Sequence, residues 1–440
     1  MELHIGIDDF DSPRGMCTTY FGALIADYIK EKKDIVFLDY PYLIRLNPNI
    51  PFKTRGNGAV SLHLEIRDVY IDDFLDYLEQ GVWEYADLKH GKSDPVILVS
   101  LGKRIDFFRE IYRRALKELV PSRYVLRSIK RWSNIKIIYP KTGRGIVGAV
   151  AAIGAYKLKD FTYELLFYRD VHEKKKLRAV DQKILLEIDK KYRPLIFANF
   201  DYEKKRMLAL SHGPDPVILG IRSLDPYILL DIFYFLAQKI KFEKAMIYKS
   251  NQGTNSHLSD VKMIKDIRPY DSVVIKGVIF EEPTIIRGGH VIFIIKDETG
   301  RITCSVYKQT GRLNRFAKML MKGDYIEVGG GIIPSVLHGM TLNVEYIRLI
   351  QAAPLEIIQN PLCPICGSRM ESLGRNKGFR CSKCGYRSQK IKKIRKIVLR
   401  YVEPGLYIQS PIAYRHLTKP LETLGMCGKE YNNVIISPLT

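Results

Sequence analysis

Tyr163-Glu164-Leu165-Leu166-Phe167-Tyr168 is the stretch from which the fold is read. It reads as a strand, and behind it come a helix over Ala179–Lys190, strands at Leu195–Asn199 and Val217–Ile221, a helix over Pro226–Lys239 and a last strand at Ala245–Tyr248. The order is βαββαβ, the split unit of ferredoxin-like domains. This domain is placed at residues 146–265.

Outward from it, residues 1–145 alternate short apolar strands, such as Val60–Ile66 and Pro95–Val99, with helical stretches near Thr18–Lys30 and Arg104–Leu119, the texture of an α/β domain. Downstream, over residues 270–352, strands are expected at Ser272–Ile279, His290–Lys296, Ile302–Tyr307, Tyr325–Val328 and Thr341–Ile347. A helical Leu313–Met321 lies between the third and fourth, which matches the OB-fold barrel, a common holder of single-stranded nucleic acid and RNA ends. Residues 360–400 form the next unit, ending in a basic, helix-like run at Ile391–Arg400. Residues 401–440 carry no domain signature, and no internal repeat is visible. The whole is an α+β multidomain chain.

Seventy Lys and Arg stand against 48 Asp and Glu, a formal net charge of +22. An apolar fraction of 46% rules out disorder as the explanation, so the field implies a polyanionic partner, most simply nucleic acid. The charge is also uneven: from Ser372 to Arg400 there are eleven Lys or Arg and no carboxylate. No charged-then-apolar leader precedes the first strand and no apolar run reaches the ~18 residues of a membrane span, so a cytoplasmic location with no membrane partner is expected. Nothing implies a protein partner.

Cys363-Pro-Ile-Cys366 and Cys381-Ser-Lys-Cys384 are separated by fourteen residues, and a glycine follows each pair, Gly367 and Gly385. Each CxxC puts two thiolates on one tight turn, and two such turns make a closed tetrahedral site, a structural Zn²⁺ ribbon. Four thiolates leave no open position for catalysis.

The first strand ends in Asp8-Asp9-Phe10-Asp11-Ser12, with Cys17-Thr18-Thr19 shortly after. Three carboxylates at one strand exit repel one another unless a cation such as Mg²⁺ on ATP phosphates neutralises them; an Asp-rich turn leading to a helix cap is the other reading. Lys141-Thr142-Gly143-Arg144-Gly145-Ile146-Val147-Gly148 contains GxGxxG beside two cations and reads as a phosphate loop outside any Rossmann domain. Lys141, Gly143, Arg144, Gly145 and Gly148 are its expected nucleotide contacts. Ser211-His212-Gly213-Pro214-Asp215-Pro216 and Asn251-Gln252-Gly253-Thr254-Asn255-Ser256-His257 are dense in hydrogen-bonding side chains, as a small-ligand or base pocket or as turn chemistry.

Together, Ile7-Asp8-Asp9 with Asp11 through Thr19, Arg55-Gly56-Asn57-Gly58, Gly143-Arg144-Gly145 with Gly148, Ser211–Asp215 and Asn251-Gln252-Gly253-Thr254 resemble the archaeal tRNA(Ile) agmatinylcytidine synthetases. The likeness spans essentially the whole chain, because the order kinase-like domain, ferredoxin-like domain, OB barrel, zinc ribbon is also that family's. It implies an ATP-dependent ligase that joins agmatine to C2 of the wobble cytidine of the isoleucine tRNA with a CAU anticodon, releasing AMP and phosphate. It also implies that residues 1–145 carry ATP and phosphoryl transfer, that Asp8, Asp9, Asp11 and Thr18 are catalytic, and that Thr18 accepts phosphate. Substrate contacts are expected at His212, Asp215, Asn251, Gln252 and Thr254. The family pattern carries Asp where this chain has Asn255, so no amine-holding carboxylate is assigned there. A non-catalytic OB and zinc-ribbon RNA-binding protein, or an ATP-dependent RNA-modifying enzyme using a different amine, are the competing readings; the first leaves the carboxylate cluster unexplained.

Overall fold

The computed structural model describes residues 1–53, 56–102, 105–171, 180–211 and 213–431. In β1 (Glu2–Asp8) Leu3, Ile5 and Ile7 enter one core, while Gly6 lies against the main chain of a helix on the opposite face. The alternation is what a strand covered on both sides requires. After it come α1 (Thr18–Lys30), β2 (Ile35–Phe37), β3 (Tyr42–Arg45), β4 (Gly58–Ile66), α2 (Ile71–Tyr85), β5 (Val96–Leu101), α3 (Asp106–Lys117), α4 (Ser122–Ile129), β6 (Ile135–Ile138) and α5 (Ile146–Gly154). Helices α1 and α2 cover one face; α3, α4 and α5 cover the other.

The strands of this first unit lie in the order β6-β5-β1-β4-β3, each antiparallel to its neighbours. The second unit consists of β7 (Thr162–Tyr168), α6 (Gln182–Tyr192), β8 (Ile196–Phe197), the small pair β9 (Phe200–Asp201) and β10 (Arg206–Met207), β11 (Val217–Ser223), α7 (Pro226–Ala237) and β12 (Lys244–Ser250). Its order is β12-β7-β11-β8, the ferredoxin-like arrangement of fourth, first, third and second strand. The order β5-β1-β4-β3 in the first unit is the same arrangement, so the fold repeats where the sequence shows no repeat. Helix α5, assigned from sequence to the second unit, packs in the core of the first with α3 and α4.

The two units join edge to edge through β3 and β12, which run parallel, giving one ten-stranded sheet. Only Lys249 with Tyr42 and Ser250 with Leu43 are paired along the seam. The next residue continues the ladder with a side chain: Asn251, fully buried, accepts from the Arg45 N–H through Oδ1 and donates from Nδ2 to the Arg45 carbonyl, both at 2.8 Å. A carboxamide thus stands in for a strand.

β13 (Ser272–Ile279), β14 (Thr284–Ile285), β15 (Val291–Lys296), β16 (Arg301–Val306), α8 (Arg312–Ala317), β17 (Tyr325–Ser335) and β18 (Gly339–Gln351) form the OB barrel. It closes through β13 with β15, and α8 lies between the third and fourth barrel strands, as expected. Beyond it, β19 (Leu355–Gln359) leads into the ribbon's short strands β20 (Glu371–Ser372), β21 (Phe379–Arg380) and β22 (Arg387–Ser388), and β23 (Ile394–Val398) leads out. The helix-like reading of Ile391–Arg400 is corrected here: the segment pairs antiparallel with β19 as a stalk. Its isoleucines at 391, 394 and 397 mimic a helical stripe, but β-branched residues beside a free strand edge favour pairing.

The segment without a signature is not a tail. β24 (Gly405–Ile408) adds to β18, and the chain then crosses back so that Leu417 enters the first unit's core and Lys429 pairs with Asp225 of the second at 2.9 Å. No helix of the described residues is long and apolar enough to cross a membrane.

The seam generates a test. Asn251→Asp keeps the shape but sets a buried carboxylate against the Arg45 carbonyl, and should cost about 2–4 kcal/mol in urea unfolding; Asn251→Ala should cost about 1–3 kcal/mol. A loss below about 0.5 kcal/mol in both would show that main-chain pairing alone carries the seam.

Candidate active site

The carboxylates at the exit of β1 open into a cavity of about 420 Å³. Asp8, Asp9, Asp11 and Arg144 form one polar side, Lys53, Glu118 and Arg123 also line it, and Leu46, Ile50, Phe52, Leu119 and Val120 supply an apolar wall. Burial, then the Asp9 charge and the Asp11 charge, push the Asp8 carboxyl well above the usual carboxylate range. Asp9 has φ +62°, a left-handed conformation that Asp tolerates better than most residues, and this turns its carboxylate to Arg144 with bonds of 3.0 Å from Nε and 2.6 Å from Nη2.

The loop 143–148 meets this cluster at the start of α5. Gly148 packs on Asp8 so closely that a Cβ would overlap the carboxylate, so here glycine admits the protein's own acid. The main-chain N–H groups of Gly143 and Arg144, read as phosphate donors, bind the Asp94 carboxylate at 3.1 and 3.3 Å. Lys141 Nζ is held by the carbonyls of His90 and Ser93 at 2.8 and 2.7 Å, and it does not line the cavity. Of the five expected nucleotide contacts, Arg144, Gly145 and Gly148 line it.

A second cavity of about 310 Å³ lies beside the first, and Asp11 and Gly58 line both. It sits on the open face of the second unit's sheet, over Glu164 of β7 and Arg222 of β11, with Arg45 of β3 and Asp215 on its walls. Thr18 begins α1 there: its N–H donates to Asp11 Oδ1 at 3.1 Å, and its hydroxyl, on a residue 2% exposed, has no partner among the described residues. Neighbouring Cys17 is not a competing nucleophile, because burial and the Asp11 charge push its thiol up to about 12. Asp215 is oriented by the Ser211 hydroxyl at 2.9 Å.

The other expected substrate contacts lie one layer below. Asn251 is the seam residue, and Thr254 bonds the Asn251 carbonyl at 2.7 Å within its own turn. Gln252 bridges Glu164 and His416, bonding Glu164 Oε2 through Nε2 and lying 3.0 Å from His416 Nδ1 through Oε1. None of the three lines the cavity. His212, and Arg55 of the Arg-Gly-Asn-Gly motif, lie outside the described residues. Sequence reasoning missed Arg45, Glu164, Arg222, Asp94 and His416, which lie in no motif. The available signals were Gly56 and Gly58, whose missing Cβ atoms make room for the Arg45 guanidinium.

In the ribbon, the sulfurs of Cys363, Cys366, Cys381 and Cys384 lie within 4.8 Å of one another, the one such convergent group among the described residues. Tetrahedral zinc with Zn–S bonds of ~2.3 Å needs sulfurs about 3.8 Å apart, so the set fits a closed Cys₄ site. The three aspartates do not converge in this way.

Asp8 has a measurable consequence. A carboxyl whose folded pKa is raised contributes stability that is fully present below its unfolded pKa and is lost as pH rises through the folded value. At neutral pH its burial beside Asp9 and Asp11 therefore opposes folding. Asp8→Asn should therefore raise the melting temperature of the ligand-free protein at neutral pH, and the gap should close as pH falls toward about 4. An unchanged or lowered melting temperature at neutral pH would contradict the crowding described here.

Family models match nearly all of this architecture: the TiaS TCKD domain over residues 4–140, the TiaS FLD domain over 143–257, an OB-fold nucleic acid binding domain over 273–350 and the TiaS C-terminal zinc ribbon domain over 360–402. A Thermofilum pendens protein named as the isoleucine-tRNA 2-agmatinylcytidine synthetase TiaS is 47% identical over 99% of this chain and 98% of its own. The solved complex of TiaS with its isoleucine tRNA and ATP superposes with a TM-score of 0.85 at 33% identity, covering 98% of this chain and 99% of that one. The complex of TiaS with the same tRNA, AMPCPP and agmatine gives 0.82 at 31% identity, with the same coverage. With domains, order and full length all matching, this chain belongs to the isoleucine-tRNA 2-agmatinylcytidine synthetase family, TiaS.

Proposed function

We propose that this chain joins agmatine to C2 of the wobble cytidine of the CAU-anticodon isoleucine tRNA at the expense of ATP. The observation that carries this reading is the pair of cavities meeting at Asp11. One has carboxylates beside an apolar wall suited to a nucleotide; the other holds the unpartnered Thr18 hydroxyl among charges of both signs.

The chemistry requires such a pair. Oxygen leaves C2 of cytosine badly, so O2 must first be phosphorylated, after which an amine can add at C2 and expel phosphate. Two phosphoryl groups leaving ATP account for AMP as product and match two acceptors, Thr18 Oγ1 and the base oxygen; the base phosphate leaves when the amine adds, and water must release the phosphate of Thr18 to restore its hydroxyl. Phosphoryl transfer rests mainly on positioning and charge neutralisation. Asp8 and Asp11 are hard oxygen donors crowded enough to favour a cation, and they would hold Mg²⁺, which supplies neutralisation of the phosphates. Arg144, oriented by Asp9, faces the same cavity. In the second cavity Asp215 suits the ammonium or guanidinium of agmatine, while Arg45 and Arg222 suit phosphate oxygen. The base must leave its stack to enter, which costs a few kcal/mol and calls for the remaining tRNA contacts. The OB barrel and the basic ribbon are the surfaces to supply them.

The direct test incubates protein with CAU-anticodon tRNA, Mg²⁺, ATP and agmatine and follows AMP release and the mass of the wobble cytidine. Asp9→Asn, which retains a side chain tolerant of positive φ, should lose roughly 100-fold or more of the turnover while still binding tRNA. No mass gain with the unaltered protein would favour the RNA-binding module, and full activity in Asp9→Asn would remove the carboxylate cluster from the reaction.

Gln359 and Ile394 face each other across the stalk, so residues 361–392 can be excised and the ends joined by a short turn. That protein should keep its fold and ATP binding, lose at least about tenfold in tRNA affinity, and show a shallower salt dependence. Undiminished tRNA affinity in moderate salt would exclude the ribbon from binding. Truncating everything from Pro361 is a different experiment, since it also removes Leu417 from the first unit's core.

A further inference from the structure

No family model matched here extends past residue 402, yet the returning C-terminal segment places a side chain in the second cavity. His416 is set there by contacts on both sides of it. Its carbonyl accepts from the Gly253 N–H at 2.9 Å, and the Leu417 carbonyl accepts from Asn255 at 2.8 Å. The Lys419 N–H donates to Asn255 Oδ1 at 2.8 Å, and Arg415 pairs with Glu345 of the OB barrel at 3.0 Å. The Asn251–Asn255 motif therefore serves as the seat of this segment.

The tautomer of the ring follows from its neighbours. Arg222 Nη2 lies 2.8 Å from His416 Nδ1, and a guanidinium can only donate, so Nδ1 is the acceptor. Gln252 Oε1, 3.0 Å from the same nitrogen, would instead ask it to donate; the shorter contact, to an obligate donor, decides. The proton is then on Nε2. Burial, with the Arg45 and Arg222 charges, holds His416 well below its ordinary pKa, so the ring is neutral with a single N–H. Nε2 has no partner among the described residues, and it stands 3.0 Å from where a Cβ on Gly56 would lie, with Arg45 Nη1 2.9 Å from the same point. Gly56 lines the cavity, so both nitrogens border it at one place.

We propose that His416 is a catalytic residue of the reaction, donating through Nε2–H to an oxygen of the phosphate placed on the base, beside Arg45 and Arg222. Nε2–H beside the Arg45 guanidinium at Gly56 groups donors on one side of the cavity, which fits an acceptor-only ligand there, and Asp215 offers the opposite charge for the amine. The proposal rests on the reading of this cavity as the site where the activated base meets agmatine.

Three substitutions separate this role from mere packing. His416→Gln carries an amide N–H at the reach of Nε2, whereas His416→Asn restores a polar atom only at the reach of Nδ1. In the full-length protein, His416→Gln should recover most of the wild-type rate of cytidine modification. His416→Asn and His416→Phe should lose roughly 10- to 100-fold in kcat, the effect of one hydrogen bond to a charged group, with KM for agmatine little changed. Recovery by Asn and not Gln, or full kcat in all three, would overturn the proposal. If Phe does not fold, the contrast of Gln with Asn still decides. Thr18 phosphorylation, followed by intact mass in the wild type, tests the underlying reading separately: its absence would sink the role of Thr18 while cytidine modification still reports on His416.

Discussion

The carboxamide of Asn251 is the contact on which the rest of the arrangement turns. Two sheets of the same strand order meet along β3 and β12 through two residue pairs, and Asn251 extends the pairing by bonding both main-chain groups of Arg45. Buried main-chain groups left unpaired there would cost about as much as lost hydrogen bonds. By satisfying them, the side chain fixes the end of β3, and with it the Arg45 guanidinium above the open face of the second sheet. The second cavity lies along this seam, where Arg45 of the first unit and Glu164 and Arg222 of the second come within reach of one substrate, and it adjoins the first cavity at Asp11 and Gly58.

Charge is arranged against stability in the first cavity and in balance in the second. Asp8, Asp9 and Asp11 crowd one strand exit, and the adjacent loop does not relieve them with its main-chain donors, two of which bind Asp94. Among the described residues Arg144 offsets the cluster through Asp9. Residual negative charge of this kind disfavours the empty protein and favours a cation-bearing ligand, as expected where function is retained at a cost in stability. In the second cavity Glu164 and Arg222 pair at 3.3 Å, and Gln252 ties that pair to His416. Charges already neutralised by each other can face a bipolar substrate without strongly preferring either end.

The ribbon is an insertion within a longer excursion. The chain leaves the OB barrel on β19, folds around four cysteines, returns on β23 antiparallel to it, and then adds β24 to the barrel before seating residues 415–419 against the first two units. The half-buried Arg415 guanidinium meets the buried Glu345 and His257, with His257 Nε2 3.0 Å from Glu345, which joins barrel, second unit and C-terminal segment at one point. His257 and the seam residue Asn251 belong to the same short motif, so one stretch of seven residues serves both junctions.

Much of this was legible in the amino-acid order because it depends on neighbours in sequence. The βαββαβ run, the five barrel strands with a helix before the fourth, the paired CxxC turns and the carboxylates at the end of the first strand are all local patterns, and the structure holds each where it was read. What depends on distant partners was not legible. The repeat of the first unit was hidden because its second strand is broken into β2 and β3, and Ile391–Arg400 took its conformation from β19, over thirty residues away in sequence. Asn251 and Gln252 looked like ligand contacts because their chemistry is the same whether the partner is a substrate or Arg45, 206 residues earlier. His416 gave no sign at all. Spacing and periodicity report which face a residue takes and which turn it makes; which buried donor meets which acceptor is settled only when the sheets close, because an unpaired polar group costs free energy only after water has been excluded from it.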